Sequence, residues 1–194
     1  NRAKAIVKHI LNNPDFDIIA LNEVFFEDSR QVLLDGLMAT FPHYVEKISG
    51  DALCTEDSGL MIFSRWPIEP SVLSLGAGQA PILVNSVSTE FDDCNCEDCL
   101  ADKAAAHVRV RNPSTGDLHH VVFTHMQADA QCPLSATVGP TQFSSTRTGQ
   151  LADIKQLIEG RLAPDGYMGN TNVIVMGDLN VVGTQPTAAA AVKL

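Results

Sequence analysis

The sequence predicts an α/β sandwich with mixed sheets. Short, almost wholly apolar runs, which are typical of buried strands, alternate along the chain with segments that have the period of amphipathic helices. Two further extended segments are separated by a turn, as in a β-hairpin. The length of 194 residues suits one domain with a sizeable core and is short for two. We therefore expect residues 1–194 to form a single domain, whose strand order the pattern does not specify.

Helices are predicted where apolar residues recur at every third or fourth position. The three segments with this spacing are residues 3–12, 32–38 and 151–158. Pro42 closes the second helix, and Ser144 or Ser145 is the expected N-cap of the third. Each helix has an apolar face and is expected to pack it against a sheet.

Strands are predicted from apolar runs at residues 18–21, 59–64 and 173–176. The first of these runs is almost wholly apolar and is therefore expected to be an inner strand of a covered sheet. A turn at Trp66-Pro67 leads into a further extended stretch that ends near Leu75.

The hairpin is predicted from residues 107–111 and 119–125, which flank a turn at 112–116. Between the extended stretch and the hairpin, residues 76–102 are rich in Gly, Ser, Asp and Cys. We expect this segment to be a long loop, and loops of this length in a compact domain are usually functional or disordered. Residues 184–194 are Ala-rich and carry little information.

The charge balance argues against a nucleic-acid-binding protein. The chain has 13 Lys and Arg residues against 23 Asp and Glu residues, which gives a net charge of −10. Such a surface repels a polyphosphate backbone unless a metal or a local basic patch intervenes. No apolar run approaches the roughly 20 residues that span a bilayer, so no transmembrane helix is predicted.

Five cysteines are unusual for a cytosolic enzyme of this size, and three are close together as Cys94-x-Cys96-x-x-Cys99. Disulfides are the favoured interpretation, and they imply a secreted or extracytoplasmic protein. The odd count then leaves one thiol free or paired with a cysteine outside this chain. A zinc site completed by Cys54 or Cys132 and a set of inert buried thiols remain alternatives.

Polar residues follow four of the predicted strands at the point where each strand ends. These residues are Glu23, Ser64, His125 and Asp178. Each alone could be an ordinary solvated residue, but charged groups beside an apolar core are costly unless they are paired, metal-bound or open to a cleft. Two carboxylates with an imidazole, and no cysteine among them, suit an oxygen-ligated cation such as Mg²⁺. Such a cation would polarise a phosphoryl oxygen.

Four motifs, in their order and spacing, resemble those of the endonuclease/exonuclease/phosphatase superfamily. They are Asn22-Glu23-Val24-Phe25, the stretch from Ser58 through Arg65-Trp66-Pro67-Ile68, Thr124-His125-Met126-Gln127-Ala128, and Gly177-Asp178-Leu179-Asn180. Within the superfamily the chain most resembles the neutral Mg²⁺-dependent sphingomyelinases, in Leu21-Asn22-Glu23-Val24-Phe25 and in Asp98-Cys99-Leu100-Ala101-Asp102-Lys103. The resemblance covers residues 2–182 and implies a DNase I-like four-layer α/β sandwich.

The resemblance also implies roles for residues at the strand ends. Glu23 is expected to be the metal ligand, for Mg²⁺ or else Mn²⁺ or Co²⁺. His125 is expected to contact the scissile phosphate. Asp178 and Asn180 are expected to orient the attacking or leaving oxygen and to bind the phosphate.

Lys103 and Asp98 resemble the lysine and aspartate of the family's switch beside the active site. Lys103 could neutralise part of a phosphodiester's charge, although on the sequence alone it could also be a solvated loop cation. Arg147 matches a helix position of the family and is expected to be structural or to lie at the rim of the site. Three histidines match no motif and are left unassigned: His107, His119 and His120.

The chain departs from the family pattern at both ends and at one internal position. The family has a strand with an asparagine before the first helix and, late in the chain, an Asp-His pair whose histidine acts as general base. The family's membrane-engaging aromatic hairpin would lie in the same late region. We therefore expect a chain that is truncated at both ends and inactive as it stands. Ala104 also replaces the glycine that the family has after the lysine.

Together these features predict a metal-dependent phosphodiester hydrolase that acts on a phospholipid at a membrane surface. The expected reaction is hydrolysis of sphingomyelin to ceramide and phosphocholine. A nuclease or an inositol-phosphate phosphatase of the same superfamily is the alternative enzyme, and a non-catalytic fragment with a binding role is the alternative outside enzymes. The sequence makes no prediction of the oligomeric state.

Overall fold

A computed structural model describes residues 2–48, 57–73, 79–129, 140–162 and 172–181. The helices are α1 (Arg2–Leu11), α2 (Glu27–Leu37), α3 (Pro140–Leu162) and a 3₁₀ helix (Cys96–Leu100). The strands are β1 (Ile18–Leu21), β2 (His43–Val45), β3 (Met61–Ser64), β4 (Ile68–Glu69), β5 (Ser71–Leu73), β6 (Ile82–Val84), β7 (Val87–Glu90), β8 (Ala104–Arg111), β9 (Leu118–His125) and β10 (Asn172–Asp178). No helix in the described part of the chain is long and apolar enough to cross a membrane.

The strands form two main sheets. In the first sheet, β3 lies between β1 and β2 and is antiparallel to both. In the second, β9 lies between β10, which is parallel to it, and β8, which is antiparallel. Strands β4 and β7 pair one after the other with the remaining edge of β8. Strands β5 and β6 form a small ribbon of their own. The second sheet is therefore mixed, as the sequence predicts.

The sheets and helices stack in four layers. On β3, Met61 and Phe63 pack against α1 and α2, whereas Ile62 faces the second sheet. On β9, Phe123 faces the first sheet, whereas Val122 packs against α3. Side chains of alternate residues on a strand point to opposite faces, so each of these strands contributes side chains to two hydrophobic cores. The α/β sandwich is confirmed.

The largest difference from the predicted elements is in residues 76–102. The described part of this segment contains β6, β7 and the 3₁₀ helix, so it is not one continuous loop. Strand β7 has the sequence Val87-Ser88-Thr89-Glu90 and lies at the sheet edge, where half of its side chains face solvent. A short edge strand of this composition is difficult to tell from a polar loop.

Two boundaries also differ from prediction. Strand β8 begins at Ala104 rather than at His107, although alanine has a low strand propensity. Ala104, Ala105 and Ala106 are all fully buried, so the packing on both faces of the sheet decides their conformation. Helix α3 begins at Pro140 rather than beside Ser144 or Ser145. Proline is well suited to the first helical turn, because it lacks only an N–H that has no partner there.

Two predictions about the first sheet are wrong. Residues 18–21 were expected to form an inner strand, but among the described strands β1 pairs only with β3 and is half-buried. The inner strand is β3. Because β3 is antiparallel to β1, Ser64 lies opposite Ile18, at the end of the sheet away from Glu23. Ser64 therefore does not join the other strand-end residues.

Candidate active site

The ends of three strands of the second sheet bring the predicted residues together. His125 ends β9 and Asp178 ends β10, and these two residues are paired in the parallel register. Ala104, the first residue of β8, lies opposite His125 on the other side. Lys103 and Asp178 therefore approach His125 from neighbouring strands.

Lys103 is buried and contacts two of the predicted residues. Its Nζ lies 3.0 Å from Nε2 and 3.3 Å from Nδ1 of His125. It also forms an ion pair with Oδ1 of Asp98 at 3.0 Å. An ammonium can donate only to an unprotonated ring nitrogen, so this contact favours the neutral form of His125. The solvated-cation interpretation of Lys103 is therefore wrong.

The protonation state of His125 follows from the same geometry. Burial is the main cause that lowers the pKa of His125, and the positive charge of Lys103 lowers it further. The negative charges of Asp178, Asp98 and Glu23 act in the opposite direction. That all three carboxylates influence His125 indicates that they lie around one site.

Asp98 is held at both carboxylate oxygens. Oδ1 pairs with Lys103, and Oδ2 accepts a hydrogen bond of 2.8 Å from the backbone N–H of Ala128. The Asp98 side chain is only 14% exposed. The cysteine loop, defined as residues 93–100, is thus attached to the segment that follows β9.

Two buried glutamines strengthen that attachment. The Gln127 Oε1 accepts a hydrogen bond of 2.7 Å from the backbone N–H of Asn95, and its Nε2 donates to the Asn95 carbonyl at 3.3 Å. From α3, Gln150 donates to the Asp93 carbonyl at 3.0 Å and accepts from the backbone N–H of Gln127 at 2.9 Å. Arg147 donates to the Gln127 carbonyl at 3.0 Å. These contacts support the structural role expected of Arg147.

The cysteine loop carries a disulfide between Cys94 and Cys99, and Cys96 is disulfide-bonded as well. The disulfide interpretation of the cysteines is confirmed for these residues. The zinc alternative fails, because oxidised sulfurs do not ligate zinc as thiolates do. Cys54 and Cys132 lie outside the described residues.

Glu23 lies on a turn that is fixed from both sheets. Its φ of 60° is in the left-handed region, and the neighbouring Val24 donates its N–H to the Gly59 carbonyl at 2.9 Å. Asn22 donates from Nδ2 to the Thr124 carbonyl on β9 at 2.8 Å and so joins the two sheets. Strained backbone of this kind persists only where surrounding contacts enforce it, and such residues cluster at functional sites.

The backbone of Asn180, like that of Glu23, is in the left-handed region, with a φ of 51°. Its N–H donates to Oδ1 of Asp178 at 2.9 Å, and its Nδ2 donates to the Met126 carbonyl at 2.8 Å. Gly177 comes so close to β9 that an added Cβ would lie 2.1 Å from a backbone oxygen of Thr124. Gly177, Asp178 and Asn180 line an open cleft of about 610 Å³ beside the end of the sheet.

The metal-ligand prediction concerns Glu23 alone. Among the residues that the structure describes, no group of three or more His, Cys, Asp or Glu side chains is arranged to hold a metal. Mg²⁺ in proteins is commonly bound by one or two carboxylates and keeps several waters. Because Glu23 is exposed at the mouth of the site, its carboxylate fits that mode of binding.

Several functional contacts were not predicted from the sequence. Asn22 and Gln127 belong to the quoted motifs, yet their hydrogen bonds across the structure were not foreseen. The only signal would have been two uncharged amides at positions next to buried strands.

The unassigned His107 and His120 are both buried and stack on each other, with Nε2 of His107 2.9 Å from Nδ1 of His120. His107 lies on β8 and His120 on the neighbouring strand β9, so the pair is away from the strand ends that carry the candidate site.

Several of the known proteins that this chain is similar to are named sphingomyelinase C. The chain is 28% identical over 180 residues to a protein named sphingomyelinase C from Leptospira interrogans, and the match covers 86% of this chain and 27% of that protein. The chain therefore spans about a quarter of the length of that relative.

Solved structures with the same fold include SmcL, with a TM-score of 0.77 at 23% identity, covering 99% of this chain and 60% of that one. Another is a beta toxin from Staphylococcus aureus with bound magnesium ions, with a TM-score of 0.75 at 20% identity, covering 99% of this chain and 61% of that one. At these identities the likeness shows the fold. The model of the Endonuclease/Exonuclease/phosphatase family matches residues 1–191, and the chain belongs to that family.

Proposed function

We propose that the protein to which this chain belongs hydrolyses the phosphodiester of a phospholipid, and that its substrate is sphingomyelin, cleaved to ceramide and phosphocholine. The observation that carries the proposal is the Asp98–Lys103–His125 chain at the strand ends, next to Asp178 and Asn180. The relative named sphingomyelinase C supports the substrate class.

Lys103 and His125 would bind the phosphate. Because His125 is neutral, one ring nitrogen can accept from Lys103 while the other donates to a phosphate oxygen. The ammonium charge of the buried Lys103 would then compensate part of the phosphate charge. Because an ammonium has three N–H donors, Lys103 could donate to a phosphate oxygen and still keep its contact with Asp98.

Asp178 and Asn180 would orient the oxygens of the reaction. The backbone N–H of Asn180 occupies Oδ1 of Asp178 and leaves Oδ2 available to a water or a leaving group. Asn180 donates one amide proton to the Met126 carbonyl, which leaves the other for a phosphate oxygen. Both side chains are thus fixed by the backbone around them, which reduces the entropic cost of orienting the reactants.

Glu23 would hold a divalent cation, for which we propose Mg²⁺, with Mn²⁺ or Co²⁺ as substitutes. When bound, such an ion polarises a phosphoryl oxygen and stabilises its developing charge. The magnesium ions in the S. aureus beta toxin support this choice. We also propose an extracytoplasmic location, which the disulfides support because they persist in oxidising compartments.

The test is release of phosphocholine from sphingomyelin vesicles by the whole protein. We expect EDTA to abolish the release and Mg²⁺ to restore it. Glu23→Gln should lower the rate by on the order of 10²-fold or more, the size expected for loss of a group that stabilises transition-state charge. Glu159→Gln is the matched control, since that exposed glutamate lies on α3. Equal activity without a divalent ion, or an unimpaired Glu23→Gln, would contradict the proposal.

The same preparations separate the alternatives. Nicking of plasmid DNA without phosphocholine release would favour a nuclease, and release of inorganic phosphate from inositol phosphates would favour a phosphatase. A calorimetric titration with Mg²⁺ that shows no binding would favour a non-catalytic role.

A further inference from the structure

The 3₁₀ helix that carries Asp98 has no buried residue. Packing in a hydrophobic core therefore cannot hold this short helix in place, and helices of one turn are not stable by themselves. Nevertheless, Asp98 places one carboxylate oxygen 3.0 Å from Lys103 Nζ and the other 2.8 Å from the Ala128 nitrogen. Something other than burial must keep these two contacts together.

The start of the cysteine loop is firmly attached to the domain. The backbone of Asp93 accepts a hydrogen bond from Gln150, and the backbone of Asn95 exchanges two with Gln127. Both glutamine side chains are fully buried. Cys94 lies between these two anchored residues.

The disulfide connects this anchored start to the residue beside Asp98. Cys94 is bonded to Cys99, five positions along the chain, and Cys99 directly follows Asp98. A crosslink over so few residues leaves the intervening chain few conformations. The disulfide therefore links the anchored backbone at residues 93–95 covalently to the residue that follows Asp98, which restricts where the Asp98 carboxylate can lie.

We propose that the Cys94–Cys99 disulfide is a positioning element for the reaction: it holds Asp98 between the Ala128 amide and Lys103, and thereby keeps Lys103 against His125. This inference rests on the proposed function of the site. Without the Cys94–Cys99 bond, the disulfide of Cys96 still holds the start of the 3₁₀ helix, but the residues that follow it lose their covalent link to the anchored backbone. Asp98 then leaves its two partners part of the time, and the ammonium of Lys103 lacks its counter-charge. Misplacement of a reacting group by about 1 Å can cost on the order of 10²-fold in rate.

The experiment compares Cys94→Ser/Cys99→Ser with Asp98→Asn and with all three substitutions together, in the whole protein. The first measurement is amide hydrogen exchange by NMR, which does not depend on activity. We expect the Ala128 amide, which donates to Asp98, to exchange at least about tenfold faster in the double variant. The Val24 amide, which donates to Gly59, is the internal control and should be unchanged.

The second measurement is the kinetics of sphingomyelin hydrolysis. We expect kcat to fall by about 10- to 100-fold in Cys94→Ser/Cys99→Ser, with KM changed by less than about twofold. In the Asp98→Asn background the same cysteine substitutions should have almost no further effect, because the disulfide acts through Asp98. Asn112→Ala, in the β8–β9 turn, is the control for loss of stability and should leave kcat unchanged.

Two results would overturn the proposal. One is an Ala128 amide that exchanges at the parent rate after the disulfide is removed. The other is a pair of rate losses that multiply when the substitutions are combined, which would make the disulfide a general stabiliser of the fold. If the parent protein does not hydrolyse sphingomyelin, the proposed function fails, and the exchange measurement still decides whether the disulfide positions Asp98.

Discussion

Replacement of Lys103 by methionine gives the most direct test of the site's electrostatics. The methionine side chain has a similar length and no charge, so the buried position remains filled. In the parent, Nζ lies 3.0 Å from Nε2 of His125. By Coulomb's law a unit charge at that distance opposes protonation of the ring by more than about 1 kcal/mol even in bulk water, and the opposition is stronger where the site is buried. The carboxylates of Asp178, Asp98 and Glu23, which favour protonation, all remain. The pKa of His125 must therefore rise in Lys103→Met.

The assay is an NMR titration of the His125 ring in Lys103→Met and in Lys155→Met. Lys155 is a suitable control, because it is an exposed lysine on α3. Only the first variant should raise the pKa of His125. Phosphocholine release by the first variant should also fall by on the order of 10²- to 10³-fold. A pKa of His125 that is unchanged or lower in Lys103→Met would refute the assignment of the Lys103 charge to this contact.

Three further predictions concern stability. The lowered pKa of His125 means that the unfolded chain binds more protons than the folded one below about pH 6.5, so Tm should fall as the pH decreases through that value, and His125→Gln should make the fall shallower. The hydrogen bonds from Arg111 lower the pKa of Glu69, so the charged carboxylate stabilises the folded parent at neutral pH and this stability is lost only in acid. Glu69→Gln should therefore lower the free energy of unfolding at neutral pH. Because the pair is partly exposed, the decrease measured in a urea titration should be below about 1 kcal/mol. Gly177→Ala should destabilise by more than about 3 kcal/mol, because its φ is 126° and its Cβ would collide with the backbone of β9, whereas Gly116→Ala, at a φ of 79° with open space around it, should cost only about 1 kcal/mol; equal losses would show that backbone conformation, not the collision, is decisive.

The residues at strand ends could be predicted because apolar runs and the polar residues that follow them are visible in the sequence. His125 and Asp178 lie side by side as expected, since β9 and β10 are parallel and in register. Ser64 was misplaced for a related reason. A single apolar run does not reveal the direction of its strand, and β3 is antiparallel to β1.

The contacts of Lys103 could not be derived from spacing. They depend on the pairing of β8 with β9, which places residues 22 positions apart in contact. The same holds for Gln127 and Asn95, whose side-chain and backbone groups meet across 32 positions. Long-range contacts of this kind follow from tertiary packing, about which local propensity says little.

The register of β8 against β9 means that the site is either fully formed or not formed at all. Both faces of the pair are buried, with Val121 and Phe123 packed toward one core and Val122 toward another. A shift by one residue would send each of these side chains to the wrong side, so intermediate alignments have no stable form. Substitutions deep in this sheet should accordingly change how many molecules are folded, while each folded molecule retains the same spacing between its ammonium and imidazole groups.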